Sequence, residues 1–264
     1  MTEILHSEDF IPNANNWLLV SEIFKSHQGE GPSSGQVAKF LRLGGCDLHC
    51  RWCDTPYTWV FTKRQQKLHD QDRIYDPRHE LRRMSLSEII RNLHGLENEL
   101  IYSPLIVITG GEPLLQSERL AELIRLMNLG LITYRFEIET AGNITPSVFT
   151  QFNNVTFNVS LKLASSGNEL EKRYVPEVIL HFTGMRSRFK FVITRDNFEE
   201  DLHEVRSIVD CFGIFPDRVW LMPEGTTPLD QISGIQLLIP RALELGFNVT
   251  SRLHVLAYGN ERGV

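Results

Sequence analysis

Residues 104–140 read PLIVITGGEPLLQSERLAELIRLMNLGLITYRFEIET, and this stretch decides the fold class. PLIVITGG (104–111) is a short apolar run closed by two glycines, the pattern of a buried strand. SERLAELIRLMNLG (117–130) is amphipathic at helical spacing, with Ser117 as N-cap and Gly130 as C-terminal stop. ITYRFEIET (132–140) returns to strand chemistry. A strand, a helix and a strand in close succession require a parallel crossover.

The same rhythm extends outward. WLLVSEIF (17–24) and VAKFLRLGG (37–45) read as strands around the turn-rich HQGEGPSSGQ (27–36), and SLSEIIRNL (85–93) opens a helix with a capping box of Ser85 and Glu88. VTFNVSLKL (155–163), RFKFVITR (188–195), RVWLMPEG (218–225) and FNVTSRLHVLAYG (247–259) read as strands. FEEDLHEVRSIVDCFG (198–213) and residues 228–246 read as helices, the second kinked or split at Pro240. The alternation defines an α/β chain, either an open sheet or a β/α barrel, and a partial, TIM-like barrel is the expectation. Residues 1–264 form one domain, with a polar leader over 1–16 and a charged, aperiodic surface insertion over 56–84.

A composition of 42% hydrophobic and 23% charged residues belongs to a globular protein, and no apolar run approaches the length of a membrane span. A net charge of −6 offers no basic footprint for nucleic acid, so the partner is expected to be small. The first residues, MTEILHSEDF, carry acids where a signal peptide needs a basic region and an apolar stretch, which points to the cytoplasm.

There are four cysteines, and Cys46, Cys50 and Cys53 stand together as C-x3-C-x2-C directly after a strand. Three thiolates hold three irons of a 4Fe-4S cluster and leave the fourth iron free for an outside ligand. A zinc site completed by His49 or Asp54, and inert thiols, are the alternatives at this point. Cys211, among apolar residues at helical spacing, reads as a buried small hydrophobe.

Other polar groups stand at strand ends, where β/α barrels gather their ligands. Thr109, Gly110, Gly111 and Glu112 follow one strand; the glycines admit close approach of a ligand to the backbone, and Glu112 suits an ammonium group. Gln28, Gly29 and Glu30 follow another, with Glu30 an acceptor for a heterocycle rich in N–H groups. Arg42 suits a carboxylate, and Ser160 and Lys162 suit hydroxyl and carboxylate groups. Taken singly, each also reads as an ordinary turn or exposed strand end.

Together these motifs resemble the radical S-adenosylmethionine superfamily and, within it, the 7-carboxy-7-deazaguanine synthases of queuosine-type pathways. The resemblance runs through EIFKSHQGEG (22–31), FLRLGGCDLHCRWCDTPYTW (40–59), VITGGEPLL (107–115), FEIETAGN (136–143), NVSLKL (158–163), FKFVI (189–193) and RLHVLAYGNERGV (252–264). It implies a partial barrel of the radical SAM type, with Cys46, Cys50 and Cys53 on a 4Fe-4S cluster and Thr55 on Mg2+. By sequence alone, Thr55 reads as a cap of the turn before Pro56. The resemblance implies substrate contacts from His27, Gln28, Gly29 and Arg42, with Thr109 beside them. S-adenosyl-L-methionine would lie against Gly110, Gly111 and Glu112 and against Ser160 and Lys162. Leu161 departs from the proline usual in the family.

The implied reaction cleaves S-adenosyl-L-methionine to a 5′-deoxyadenosyl radical, which turns a pterin substrate, 6-carboxy-5,6,7,8-tetrahydropterin, into 7-carboxy-7-deazaguanine with release of ammonia. An external electron donor, flavodoxin- or ferredoxin-like, and a homodimer are implied as well. The rivals are another enzyme of the superfamily, such as a glycyl-radical activase with an exposed docking surface, and a zinc-binding module without catalysis.

Overall fold

The computed structural model describes residues 17–69, 73–96 and 105–264, so the leader expected over 1–16 lies outside the described residues. The strands are β1 (Trp17–His27), β2 (Val37–Leu43), β3 (Arg82–Ser85), β4 (Leu105–Gly110), β5 (Arg135–Thr140), β6 (Val155–Val159), β7 (Ser187–Ile193), β8 (Val219–Pro223) and β9 (Asn248–Val249). The helices are α1 (Lys63–Gln66), α2 (Pro77–Glu80), α3 (Leu86–Gly95), α4 (Ser117–Asn128), α5 (Leu170–Arg173), α6 (Pro176–Thr183), α7 (Phe198–Phe212), α8 (Pro228–Leu245) and α9 (Leu253–Tyr258).

All described strands join one sheet in the order β3-β1-β2-β4-β5-β6-β7-β8-β9. β1 runs antiparallel to β2 and to β3, and the remaining pairs are parallel. The sheet curls without closing. Although β1 and β9 lie near opposite edges, the segments after them bond to each other: Gly31 N–H donates to Thr250 Oγ1 at 2.8 Å, and Leu253 N–H to Gly29 O at 2.8 Å. That meeting makes the sheet a partial barrel.

Alternation along the strands sorts chemistry between the two faces. Leu41, Leu43, Ile106, Ile108, Phe136, Ile138, Phe157, Phe189, Phe191 and Leu221 belong to the main core with the apolar faces of α3, α4, α6 and α7. Each fully buried side chain of this kind contributes about 1.5–3 kcal/mol relative to exposure. The intervening positions carry Arg42, Thr109, Glu139, Ser160 and Lys190, which line a cavity.

Local signals set most helix ends. Ser85 Oγ accepts from Glu88 N–H, Thr227 and Asp230 form a reciprocal box at the start of α8, and Gly213 and Gly246 end α7 and α8 at φ 60° and 70°. Ser117 is not the cap of α4. It is already helical, and Gln116 precedes it, its side-chain amide bonded to both backbone groups of Leu19 and to Gly44 O.

Four further expectations need correction. Pro240 neither splits nor ends α8; it sits on the exposed face, where water can take the place of the helix bond it lacks. Residues 56–84 are not simply a surface insertion. Tyr57, Trp59, Val60, Leu81 and Met84 are buried there, and Arg82–Ser85 form the edge strand β3. The last strand is only Asn248–Val249, because Thr250 turns to Gly31 and the following residues wind into α9 with Val255 buried. Cys211 is exposed on α7, its sulfur 3.9 Å from Tyr174 Oη. Among the described residues no helix is long and apolar enough to cross a membrane.

Candidate active site

The strand ends and their loops enclose a cavity of about 530 Å³. Cys46, Cys50 and Cys53 line it from the loop after β2, with Thr55 beside them. His27 comes from the end of β1, Gln28, Gly29 and Glu30 from the loop after it, Arg42 from β2, Thr109 and Gly110 from the end of β4 with Gly111 next to it, and Ser160 and Lys162 from the segment after β6. All fourteen are site residues expected from the sequence; Glu112, the fifteenth, stays outside.

Glu112 is fully buried away from the cavity. Its carboxylate accepts from Leu114 N–H at 2.9 Å, Thr140 Oγ1 at 2.8 Å and Ala141 N–H at 2.7 Å, which joins the end of β4 to the end of β5. Burial pushes this carboxyl up to about 7 against those three donors. The expected ammonium partner is therefore a brace between loops. The glycines before it are demanded by the cysteine loop. A Cβ on Gly110, at φ +131°, would lie 2.1 Å from Leu43 O, and one on Gly111 would lie 1.9 Å from Gly45 O.

One wall is a linked set of acceptors. Gln28 Nε2 donates to Glu137 Oε1 at 2.8 Å and Glu139 Oε1 at 3.1 Å, while Thr109 Oγ1 donates to Glu139 Oε2 at 2.7 Å. Opposite in charge, Arg42 donates through Nε to Glu22 Oε2 at 2.8 Å and lies between the rings of Phe24 and Tyr57, at 5.6 and 6.0 Å. These contacts restrain the guanidinium of a residue that lines the cavity. Arg262 lies over the Tyr57 ring at 3.7 Å and bonds Glu80 at 2.6 Å.

Glu30, expected as an acceptor for a heterocycle, is instead tied into a buried ion network. Lys190 Nζ pairs with its Oε2, and Arg252 Nε with its Oε1 at 3.1 Å. Burial alone would raise this carboxyl, but the two cations more than reverse that and hold it well below the usual carboxylate range. Arg252 also pairs with Asp54 and donates to Gly225 O at 3.1 Å. Asp54 is thus engaged by a cation through Oδ2.

Lys162 folds back, its Nζ donating to Ser160 O at 2.7 Å and Ser160 Oγ at 2.9 Å. Leu161, between them, points into the core and is buried, so the departure from proline leaves both polar neighbours on the cavity. Thr55 does not cap the following turn with its side chain; its hydroxyl donates to Gly110 O at 3.4 Å.

The donor set suits an iron–sulfur cluster. Three sulfurs line one cavity, and N–H groups address two of them: Asn168 Nδ2 lies 3.2 Å from Cys50 Sγ and Trp59 Nε1 3.3 Å from Cys53 Sγ. Burial pushes the thiols up, Cys53 to about 11, so binding a metal must release their protons. Among the described residues no three His, Cys, Asp or Glu side chains converge as a preformed metal cage.

The sequence missed Glu139, Lys190, Arg252 and His254, and offered Asp54 only as a zinc ligand. A signal existed for two of them, since Glu139 in FEIET and Lys190 in FKFVI are charged residues within strands. Arg252 and His254 carried none, because their approach to Glu30 and Gly29 depends on closure of the barrel.

Such a curled sheet, with three cysteines at its carboxyl edge, defines a radical SAM protein, and the radical SAM superfamily signature matches residues 41–179. The chain is 33% identical over 246 residues to the 7-carboxy-7-deazaguanine synthase of Pyrobaculum aerophilum, covering 92% of this chain and 96% of that one. It is 32% identical over 250 residues to the enzyme of that name from Hyperthermus butylicus, covering 92% and 93%. The crystal structure of QueE from Escherichia coli superposes with a TM-score of 0.62 at 21% identity, over 94% of this chain and 100% of the other. The chain belongs to the 7-carboxy-7-deazaguanine synthase family.

Proposed function

We propose that this chain converts 6-carboxy-5,6,7,8-tetrahydropterin to 7-carboxy-7-deazaguanine with release of ammonia, as a single-domain radical SAM lyase. The observation that carries this reading is the pairing, in one cavity, of the Gln28–Glu139–Thr109 array with Arg42. The carboxylate of Glu139 is an acceptor for the N–H edge of a pterin, and Arg42 is a donor for its carboxylate. Cys46, Cys50 and Cys53 would hold the 4Fe-4S cluster, and Gly110, Gly111, Ser160 and Lys162 would contact S-adenosyl-L-methionine. When bound, these two groups supply the radical chemistry.

The protein's own share is positioning. Glu22 and two rings hold Arg42 in plane, so the substrate carboxylate would be received in a fixed direction. Thr55 Oγ1, close to Gly110 O, is an oxygen donor of the kind Mg2+ takes alongside waters and substrate oxygens. We further read the chain as cytoplasmic, reduced by a flavodoxin- or ferredoxin-like donor, and homodimeric. Exposed Leu229, Ile232, Ile239 and Leu243 on α8 offer a surface for the dimer.

Anaerobic incubation of reconstituted protein with reductant, S-adenosyl-L-methionine and carboxytetrahydropterin tests the reading. Mass spectrometry should find the deazaguanine product and stoichiometric ammonia. Cofactor cleavage without a deazapurine would overturn the substrate assignment.

A further inference from the structure

We infer that Asn168 and Trp59 are positioning residues for the cluster, each aiming an N–H at the sulfur of one ligating cysteine and together setting the cluster's reduction potential. The inference rests on reading Cys46, Cys50 and Cys53 as the ligands.

The amide of Asn168 can face Cys50 in one sense only. Its Oδ1 accepts from His49 N–H at 2.8 Å, which directs Nδ2 to Cys50 Sγ at 3.2 Å and to Ser166 Oγ at 3.1 Å. Ser166 Oγ already donates its own proton to Leu163 O at 2.7 Å, so toward Asn168 it is an acceptor. The segment carrying Asn168 is docked on the cysteine loop by a further bond, Arg51 N–H to Ser166 O at 3.0 Å. Asn168 does not line the cavity, so its influence passes through Cys50 and the loop.

Trp59 reaches Cys53 from the other side. Its indole N–H has no acceptor capacity and donates to Cys53 Sγ at 3.3 Å. The ring is buried and set edgewise against His49 and His69 at 4.9 and 5.9 Å, while His69 Nε2 lies 2.8 Å from Cys53 O. Among the described residues, no corresponding N–H bond reaches the sulfur of Cys46.

An electron added to a cluster places negative charge on its sulfurs, and N–H donors stabilise that charge more than the oxidised state. The two bonds should therefore raise the potential and ease reduction.

The test is a redox titration, followed by electron paramagnetic resonance, of the anaerobically reconstituted holoenzyme without substrate or S-adenosyl-L-methionine. Iron per chain is measured first. Trp59→Phe keeps the ring and removes the donor; Asn168→Asp keeps the acceptor for His49 and replaces the donor by a carboxylate; Asn168→Ala removes both. Each loaded variant should titrate at a more negative potential, by about tenfold in the oxidised-to-reduced ratio, or about 59 mV, per bond. Asn168→Asp should shift furthest, and Trp59→Phe combined with Asn168→Ala should shift more than either. If Asn168→Ala fails to load, Trp59→Phe and Asn168→Asp decide. Fully loaded variants with the wild-type potential would overturn the inference and leave the two side chains as packing. A wild-type chain that takes up no iron would instead overturn the reading of the cysteines.

Discussion

Glu30 and Arg252, 222 residues apart in sequence, meet at 3.1 Å in the cavity wall. The contact joins the loop after β1 to the segment after β9, while Lys190 and Asp54 complete the charge balance. A buried pair broken on one side leaves a stranded charge, so Arg252→Met and Glu30→Gln should each destabilise the protein by about 3–5 kcal/mol. The double variant should lose clearly less than the sum. Denaturant unfolding of all three under argon measures this, and additive losses would show that the two residues act independently.

Each of Cys46, Cys50 and Cys53 replaced by alanine should cost most of the bound iron, because the cluster loses a thiolate bond and its charge balance. Cys211 is exposed on α7, far from the cysteine loop in sequence and outside the cavity lining, so Cys211→Ala should keep wild-type iron. Colorimetric iron and sulfide analysis distinguishes the two outcomes.

Lysine cannot reproduce the placement of Arg42, whose Nε is fixed by Glu22 while its face lies between two rings. Arg42→Lys should therefore lower kcat/KM for the pterin by about 10- to 100-fold, close to the loss in Arg42→Ala. S-adenosyl-L-methionine cleavage uncoupled from product should persist in both. An unchanged KM for the pterin would count against a carboxylate contact.

Thr55→Val should retain iron and fold, because the hydroxyl's contacts, 3.4 Å to Gly110 O and 3.7 Å to Cys53 Sγ, are long and it makes no turn cap. If the hydroxyl serves Mg2+, turnover should lose its response to added magnesium, and Thr55→Ser should keep much of it. Magnesium titration of initial rates supplies the comparison.

Glu112 gives a pH signature opposite in sign to that of Glu30. Its folded-state carboxyl is raised to about 7 by burial, so its stabilising contribution is complete below an ordinary value of about 4.5 and is lost as pH rises through 7. Glu30, held low, contributes above about 4.5 and loses its contribution in acid. The stability difference between wild type and Glu112→Gln should therefore move against the wild type between pH 5 and 8. A flat difference across that range would mean that the three donors keep Glu112 ionised throughout.

The sequence by itself determined the features whose causes are local. The βα rhythm, the ends of α7 and α8, and the C-x3-C-x2-C loop after a strand are read from neighbours a few residues apart, where capping and periodicity act. Most candidate site residues followed from the same logic, since a strand's carboxyl end is a position that sequence alone can locate. The tertiary structure decided what depends on distant partners. FNVTSRLHVLAYG alternates like a strand, yet bonds from Gly31 to Thr250 and from Leu253 to Gly29 precede a turn into α9 over Leu253–Tyr258. Residues 56–69 and 73–84 look aperiodic because they pack against the cysteine loop and β1 rather than repeat along an element. Glu112 and Glu30 looked like ligands beside their glycines. Three donors from β4–β5 loops claimed the first, and two cations from β7 and the segment after β9 claimed the second, because a buried carboxylate goes to the donors that the closed barrel brings to it.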